Sequence, residues 1–198
     1  MRKITLLGMG PTAYERKVVM DQFTVGEVWS LNNAYNFYGP DFKFDRFYEL
    51  HNYLYLKDWN PGGGMSSTDH FHRLNTLECP IYVTEPLPLI RKQVDYCPVK
   101  VMRHHGTNYF LGSPSLMLAQ ALYEHDNGDE IEEIRSWGID TSDPSHSQQR
   151  QSWAFWLSKV QERGIKISGS AEGFFTEYEK DDGLRGLREA VGEHICQG

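Results

Sequence analysis

The sequence predicts an α/β protein of Rossmann-like type, with a mostly parallel sheet and helices on both faces. Three observations carry this expectation. Short apolar runs alternate with stretches of helical spacing, the pattern of βα repeats. The first run, Ile4–Leu7, feeds directly into Gly8-Met9-Gly10-Pro11-Thr12, a glycine-rich strand-to-helix turn. The chain has 198 residues, 39% of them hydrophobic and 13% aromatic, which suits a single domain over residues 1–198 with a real core.

The elements follow in order. After the first strand, residues 13–22 read as a helix. Residues 26–31 (Gly26-Glu27-Val28-Trp29-Ser30-Leu31) read as a second strand ending at Asn32-Asn33, and residues 44–50 as a third ending at His51-Asn52. Residues 57–70, with Asn60-Pro61-Gly62-Gly63-Gly64, read as a mobile loop. A short helix is expected near 69–77 and a fourth strand over 80–84, after which Pro86-Leu87-Pro88 blocks a helix. Val99-Lys100-Val101-Met102 reads as a fifth strand. Residues 113–123 make a helix with Ser113 as N-cap and Pro114 at its first position. Residues 130–137 lead as a strand into Gly138-Ile139-Asp140. In 147–163, Trp153, Trp156, Leu157 and Val160 share a helical face that ends at Gly164. Ile165-Lys166-Ile167 is a last strand, and residues 183–195 a terminal helix.

Composition narrows the function. A net charge of −7 disfavours a nucleic acid partner, although it leaves room for a basic pocket holding one nucleotide. Cys79, Cys97 and Cys196 are scattered and lack CxxC spacing, so reduced thiols in a cytoplasmic setting are expected rather than a disulfide framework. No apolar run approaches the length of a membrane span. The pair His70 and His72 lacks a third ligand, and no structural metal is expected. His104-His105 beside Arg103 and Lys100 is a basic cluster that meets phosphates or merely lines a solvated turn. Trp59 or Trp137, if exposed, would mark a homo-oligomer or partner surface, although core packing is the expected fate of most tryptophans.

In parallel sheets ligands bind beyond the carboxyl ends of the strands, which turns those ends into a site list. Gly8, Met9, Gly10, Pro11 and Thr12 suit close approach to a phosphate and equally suit a plain tight turn. The pattern is neither GxGxxG, since position 13 is Ala and no acidic partner follows, nor a P-loop. Asn32, Asn33 and Asn52 offer donors and acceptors for ribose or base edges, or serve their turns. Glu49 and His51 share one strand face, so the pair either transfers protons or holds a loop. Asp140 ends a strand, His146 is a general-base candidate, and Arg150 is a phosphate clamp. Gly112 and Ser113 open a helix.

Taken together, Gly8-Met9-Gly10-Pro11-Thr12, Val28-Trp29-Ser30-Leu31-Asn32, Phe47-Tyr48-Glu49-Leu50-His51, Ser113, Gly138-Ile139-Asp140, Gln149-Arg150 and Gly164-Ile165 resemble a family of small phage-borne proteins. That family is similar in turn to the sialyltransferases of glycosyltransferase family 42 and to 6-hydroxymethylpterin diphosphokinase-like domains. The resemblance spans most of residues 4–168. It implies a glycosyltransferase-like protein that binds a nucleotide-sugar and passes the sugar to a hydroxyl acceptor, with no cofactor or metal. In it Gly8–Thr12, Asn32 and Ser113 match nucleotide contacts and His146 takes the place of the general base. Glu49 or Asp140 would orient groups, and Gln149, His51 and Asn52 would face the sugar or acceptor. Two alternatives stay open: a Mg²⁺-dependent diphosphokinase using Asp140 and Asp143, and a non-catalytic nucleotide binder.

Overall fold

The structure, a computed structural model, describes residues 1–14, 24–58, 66–139 and 147–171. Seven parallel strands form one sheet: β1 (Arg2–Leu7), β2 (Glu27–Leu31), β3 (Arg46–Glu49), β4 (Ile81–Val83), β5 (Gln93–Asp95), β6 (Ile131–Trp137) and β7 (Lys166–Gly169). Their order is β5-β4-β3-β2-β1-β6-β7. The chain walks outward from β1 to β5 and then returns to lay β6 on the other side of β1. That reversal opens a crevice between the carboxyl ends of β1 and β6.

The helices are α1 (Pro11–Tyr14), α2 (Ala34–Tyr38), α3 (Tyr53–Lys57), α4 (Ser67–Thr76), α5 (Pro98–His105), α6 (Ser113–Asp126) and α7 (Ser147–Glu162). They divide between the two faces because strand side chains alternate. Ile4, Leu6, Trp29, Leu31 and Tyr48 face one way and pack with Val101 of α5, Met117 and Leu118 of α6, and Trp153 and Trp156 of α7. Leu7, Val28, Phe47, Ile81 and Val83 face the other way, against Tyr35 and Phe37 of α2 and Phe71 and Leu74 of α4. Both faces are covered, which accounts for strands that read as continuous apolar runs. In α7, Trp153, Trp156, Leu157 and Val160 recur at i, i+3, i+4 and i+7, and all four are buried.

Ion pairs fasten the amino-terminal edge of the sheet. Arg2 forks onto Glu27 at 2.7 and 2.9 Å and reaches Glu124 of α6 at 2.9 Å. Arg46 donates to Glu124 and lays its guanidinium 4.4 Å from the Trp29 ring centroid. One carboxylate on α6 thus ties the starts of β1 and β3 together.

The carboxyl edge is closed chiefly by backbone. Gly8 N donates to Trp137 O and Gly10 N to Gly138 O, both at 2.8 Å. Gly138 N donates in return to the Thr12 hydroxyl at 2.7 Å. A Cβ on Gly8 would overlap the Gly138 carbonyl, and one on Gly138 would come within 2.6 Å of Gly8 O and 2.7 Å of Ala13 Cβ.

Several expectations need correction. Val99–Met102 is helical, inside α5, and the fifth strand is Gln93–Asp95 instead. Pro98 starts that helix, only Val101 is buried in it, and Gly106 at φ 66° stops it. The helix expected near 69–77 begins earlier, at Ser67, behind a capping box of Ser66 and Asp69. Residues 66–70 are therefore not loop, and 59–65 lie outside the described residues. The N-cap of α6 is Gly112, which puts Ser113 inside the helix. The short helices α2 and α3 were not foreseen. The helix expected over 13–22 begins at Pro11 and is described only to Tyr14, while the terminal helix over 183–195 lies outside the described residues. Cys79 and Cys97 are free thiols, and Cys196 lies outside the described residues. Among the described residues no helix is long and apolar enough to cross a membrane. Trp137 is half-buried against the core, and Trp59 is not described.

Gly138 and Gly164 share a left-handed backbone, with φ of 68° and 70°, but no atom lies within 4 Å of a Cβ added at Gly164. Gly164→Ala should cost only the backbone strain of about 1–2 kcal/mol. Gly138→Ala adds overlap with the β1 turn and should cost measurably more. Urea denaturation of both variants checks this, and equal losses would show that the crossing of the two turns is not tight.

Candidate functional site

The crevice between β1 and β6 holds a cavity of about 460 Å³. Its lining comes from the ends of four strands and the starts of three helices: Gly8–Pro11, Leu31-Asn32, His51, Gly112–Pro114, Gly138-Ile139 and Gln149. Residues 10, 32 and 113, far apart in sequence, share this hollow. The volume suits a small organic ligand.

The first loop contributes less than its glycines suggest. The Gly8 and Gly10 amides are spent on Trp137 and Gly138. The Gly8 carbonyl accepts from the Tyr38 phenol at 2.7 Å, and the Thr12 hydroxyl is turned to Gly138 N. Glycine at position 8 therefore serves the close approach of two turns. Met9 and Pro11 line the cavity, and Thr12 does not.

Asn32 carries two signs of a working position. Its φ is 56°, the one positive value among the described non-glycine residues. Asparagine tolerates that region better than most residues. Its Oδ1 is buried and takes no hydrogen bond. A buried acceptor without a donor costs about 1–3 kcal/mol. Strain and an unsatisfied acceptor together are features of ligand sites.

At the other wall, α6 points its amino end into the cavity. Its N-cap, Gly112, has no side chain to cap the free amides. Such an end, with the Ser113 hydroxyl beside it, favours an anion. A Cβ at Gly112 would lie 2.6 Å from Gln149 Oε1, so this glycine lets the α7 amide close over the cavity.

His51 lines the cavity, and a buried chain stands behind it. Its Nδ1 is 2.6 Å from Glu49 Oε1, which also accepts from His51 N at 3.1 Å. Glu49 Oε2 is 2.9 Å from His70 Nε2, and His70 Nδ1 is 2.5 Å from the Tyr35 hydroxyl. Glu49 and His70 are fully buried. The protons can be assigned from the network itself. Tyr35 donates to His70 Nδ1, His70 Nε2–H donates to Glu49, and His51 Nδ1–H donates to Glu49. His51 Nε2 is left as an acceptor. Burial alone would raise the Glu49 carboxyl, but hydrogen bonds from His51 and His70 outweigh it and hold the group below its ordinary value. Burial also pushes the Tyr35 phenol well above its ordinary range, so it stays a donor.

The remaining candidates are dispersed. Asn33 is the N-cap residue of α2 and Asn52 caps α3, accepting from Tyr55 N at 2.8 Å. Neither lines the cavity, nor does Arg150. Asp140, Asp143 and His146 lie outside the described residues. His70 and Tyr35 escaped sequence reasoning. His70 had been weighed only with His72 as a metal pair, yet on α4 the two point apart, one buried and one exposed. The signal available was the helical face His70, Phe71 and Leu74.

No family model and no curated protein matches the chain. Among solved structures, it is similar to the sialyltransferase CstII from Campylobacter jejuni, solved in complex with a substrate analogue, cytidine-5′-monophosphate. The TM-score is 0.50 and the identity 14%, over 85% of this chain and 79% of that one. The likeness bears out the Rossmann-like fold.

Because Glu49 ionises more readily in the folded chain, its contribution to stability is present above the ordinary carboxyl value of 4.5 and lost as pH falls through the lower folded value. Glu49→Gln should lower Tm at neutral pH and flatten its fall between about pH 5 and pH 3. Parallel acid melting of variant and wild type would remove Glu49 from that account.

Proposed function

We propose that the cavity binds the nucleotide part of a nucleotide-sugar and that the protein transfers the sugar to a hydroxyl acceptor. The observation that carries this reading is the meeting of Met9, Asn32 and Ser113 around one hollow at the reversal of the sheet. The fold similarity to a sialyltransferase solved with cytidine-5′-monophosphate supports it.

In this reading the phosphate lies against the amino end of α6, beside the Ser113 hydroxyl and the Met9 amide. Asn32 meets the ribose or base, whose hydroxyl or amine supplies the donor that Oδ1 lacks. Gln149 faces the sugar side. When the bond from anomeric carbon to phosphate oxygen breaks, negative charge grows on the leaving phosphate. Fixed donors and a helix terminus stabilise that charge without reorganising, and no metal ion is required.

A ligand that binds only the folded chain raises its melting temperature. A thermal-shift screen over cytidine, uridine, guanosine and adenosine mono- and diphosphates should yield at least one nucleotide that does so. Asn32→Ala should weaken that nucleotide about tenfold, a loss of about 1.4 kcal/mol. A nucleotide that binds without turnover of its sugar adducts would make the protein a binder. No shift with any nucleotide would overturn the reading.

A further inference from the structure

Among the described residues the cavity's wall includes one imidazole, His51, and its orientation is fixed from behind. We propose that His51 is the catalytic base of the transfer, taking the proton of the incoming hydroxyl on Nε2, with Glu49 as its positioning residue. This assignment rests on the nucleotide-sugar reading of the same cavity.

Three observations lead to it. First, Glu49 accepts both the Nδ1–H and the backbone N–H of His51, which leaves the Nε2 lone pair on the far side of a ring that lines the cavity. Second, Glu49 is itself held by the fully buried His70, and His70 by Tyr35. The carboxylate therefore cannot swing away, and the ring is kept in one tautomer. The ring also stacks on Tyr55, with centroids 4.7 Å apart and an interplanar angle of 19°. Third, a carboxylate shielded from water costs stability unless it is paired. Glu49 meets two imidazoles, the fully buried His70 and the half-buried His51, and of these His51 lines the cavity.

The acceptor oxygen forms its bond to the anomeric carbon while the bond from that carbon to the phosphate oxygen breaks. The electron pair leaves with the nucleotide phosphate. The acceptor's proton moves to His51 Nε2, the imidazolium is held by Glu49, and the proton later passes to water.

The test uses the full chain with cytidine-, uridine- and guanosine-linked sugars, simple sugar hydroxyls or water as acceptors, and nucleotide release as readout. His51→Ala should lose about 100-fold or more in turnover and keep the nucleotide-induced thermal shift. Added imidazole should restore part of the rate, which a structural defect would not allow. Glu49→Asp should lower kcat with KM unchanged. The proposal is overturned if His51→Ala turns over like the wild type. It is also overturned if the thermal shift disappears along with activity, because His51 then holds the nucleotide instead. A wild-type chain that binds nucleotide and turns over no donor removes the base assignment and leaves the binding reading intact. A wild-type chain that shows no shift with any nucleotide removes the reading itself, and this assignment falls with it.

Discussion

Two turns pressed backbone to backbone, Gly8–Gly10 after β1 and Gly138 after β6, set the geometry of everything at the carboxyl edge. Their amides and carbonyls are exchanged across the sheet's reversal, and neither glycine at the crossing, Gly8 or Gly138, has room for a side chain. This contact makes the floor of the cavity. It also consumes the donors that a glycine-rich loop would otherwise offer to a phosphate. Beside it stands the amino end of α6, which no side chain caps. The same glycine spacing that suggests a phosphate loop is here explained by how closely two strands must end.

Much of the architecture was legible in the sequence. The strands at 4–7, 26–31, 44–50, 80–84, 130–137 and 165–167 all fall on or beside observed strands, because buried parallel strands leave dense apolar runs. The cavity was legible too, since strand ends are where such folds bind ligands. What failed were short elements whose pattern is ambiguous. Val99-Lys100-Val101-Met102 alternates like a strand, but Pro98 in front and Gly106 behind fit a helix better, and local β-branched content lost to those ends. The helices α2 and α3 have five residues each, too few for a period to show.

The buried polar chain was half visible. Glu49 and His51 sit two apart on one strand face, which the sequence shows directly. Their partners do not follow from any local spacing. His70 reaches Glu49 from α4 and Tyr35 reaches His70 from α2, brought there by packing of Phe37, Phe71 and Leu74 on the same face of the sheet. The reason such a chain survives in a core is that every proton has a receiver, so a single ionised group is met by three donors. A pair of histidines two residues apart suggests a metal only if they share a strand, and a helix separates them.

The strands that meet at the cavity floor lie about as far apart in the chain as this fold allows. β1 closes at Leu7 and β6 at Trp137, and between them the chain lays down β2 through β5. Contacts of such sequence separation form late, after local ones have been made. A nascent chain with five strands already extruded would own most of a sheet and only part of the hollow, because Gly138, Ile139 and Gln149 come later. The hollow is therefore complete only once β6 has docked, when most of the polypeptide has left the ribosome.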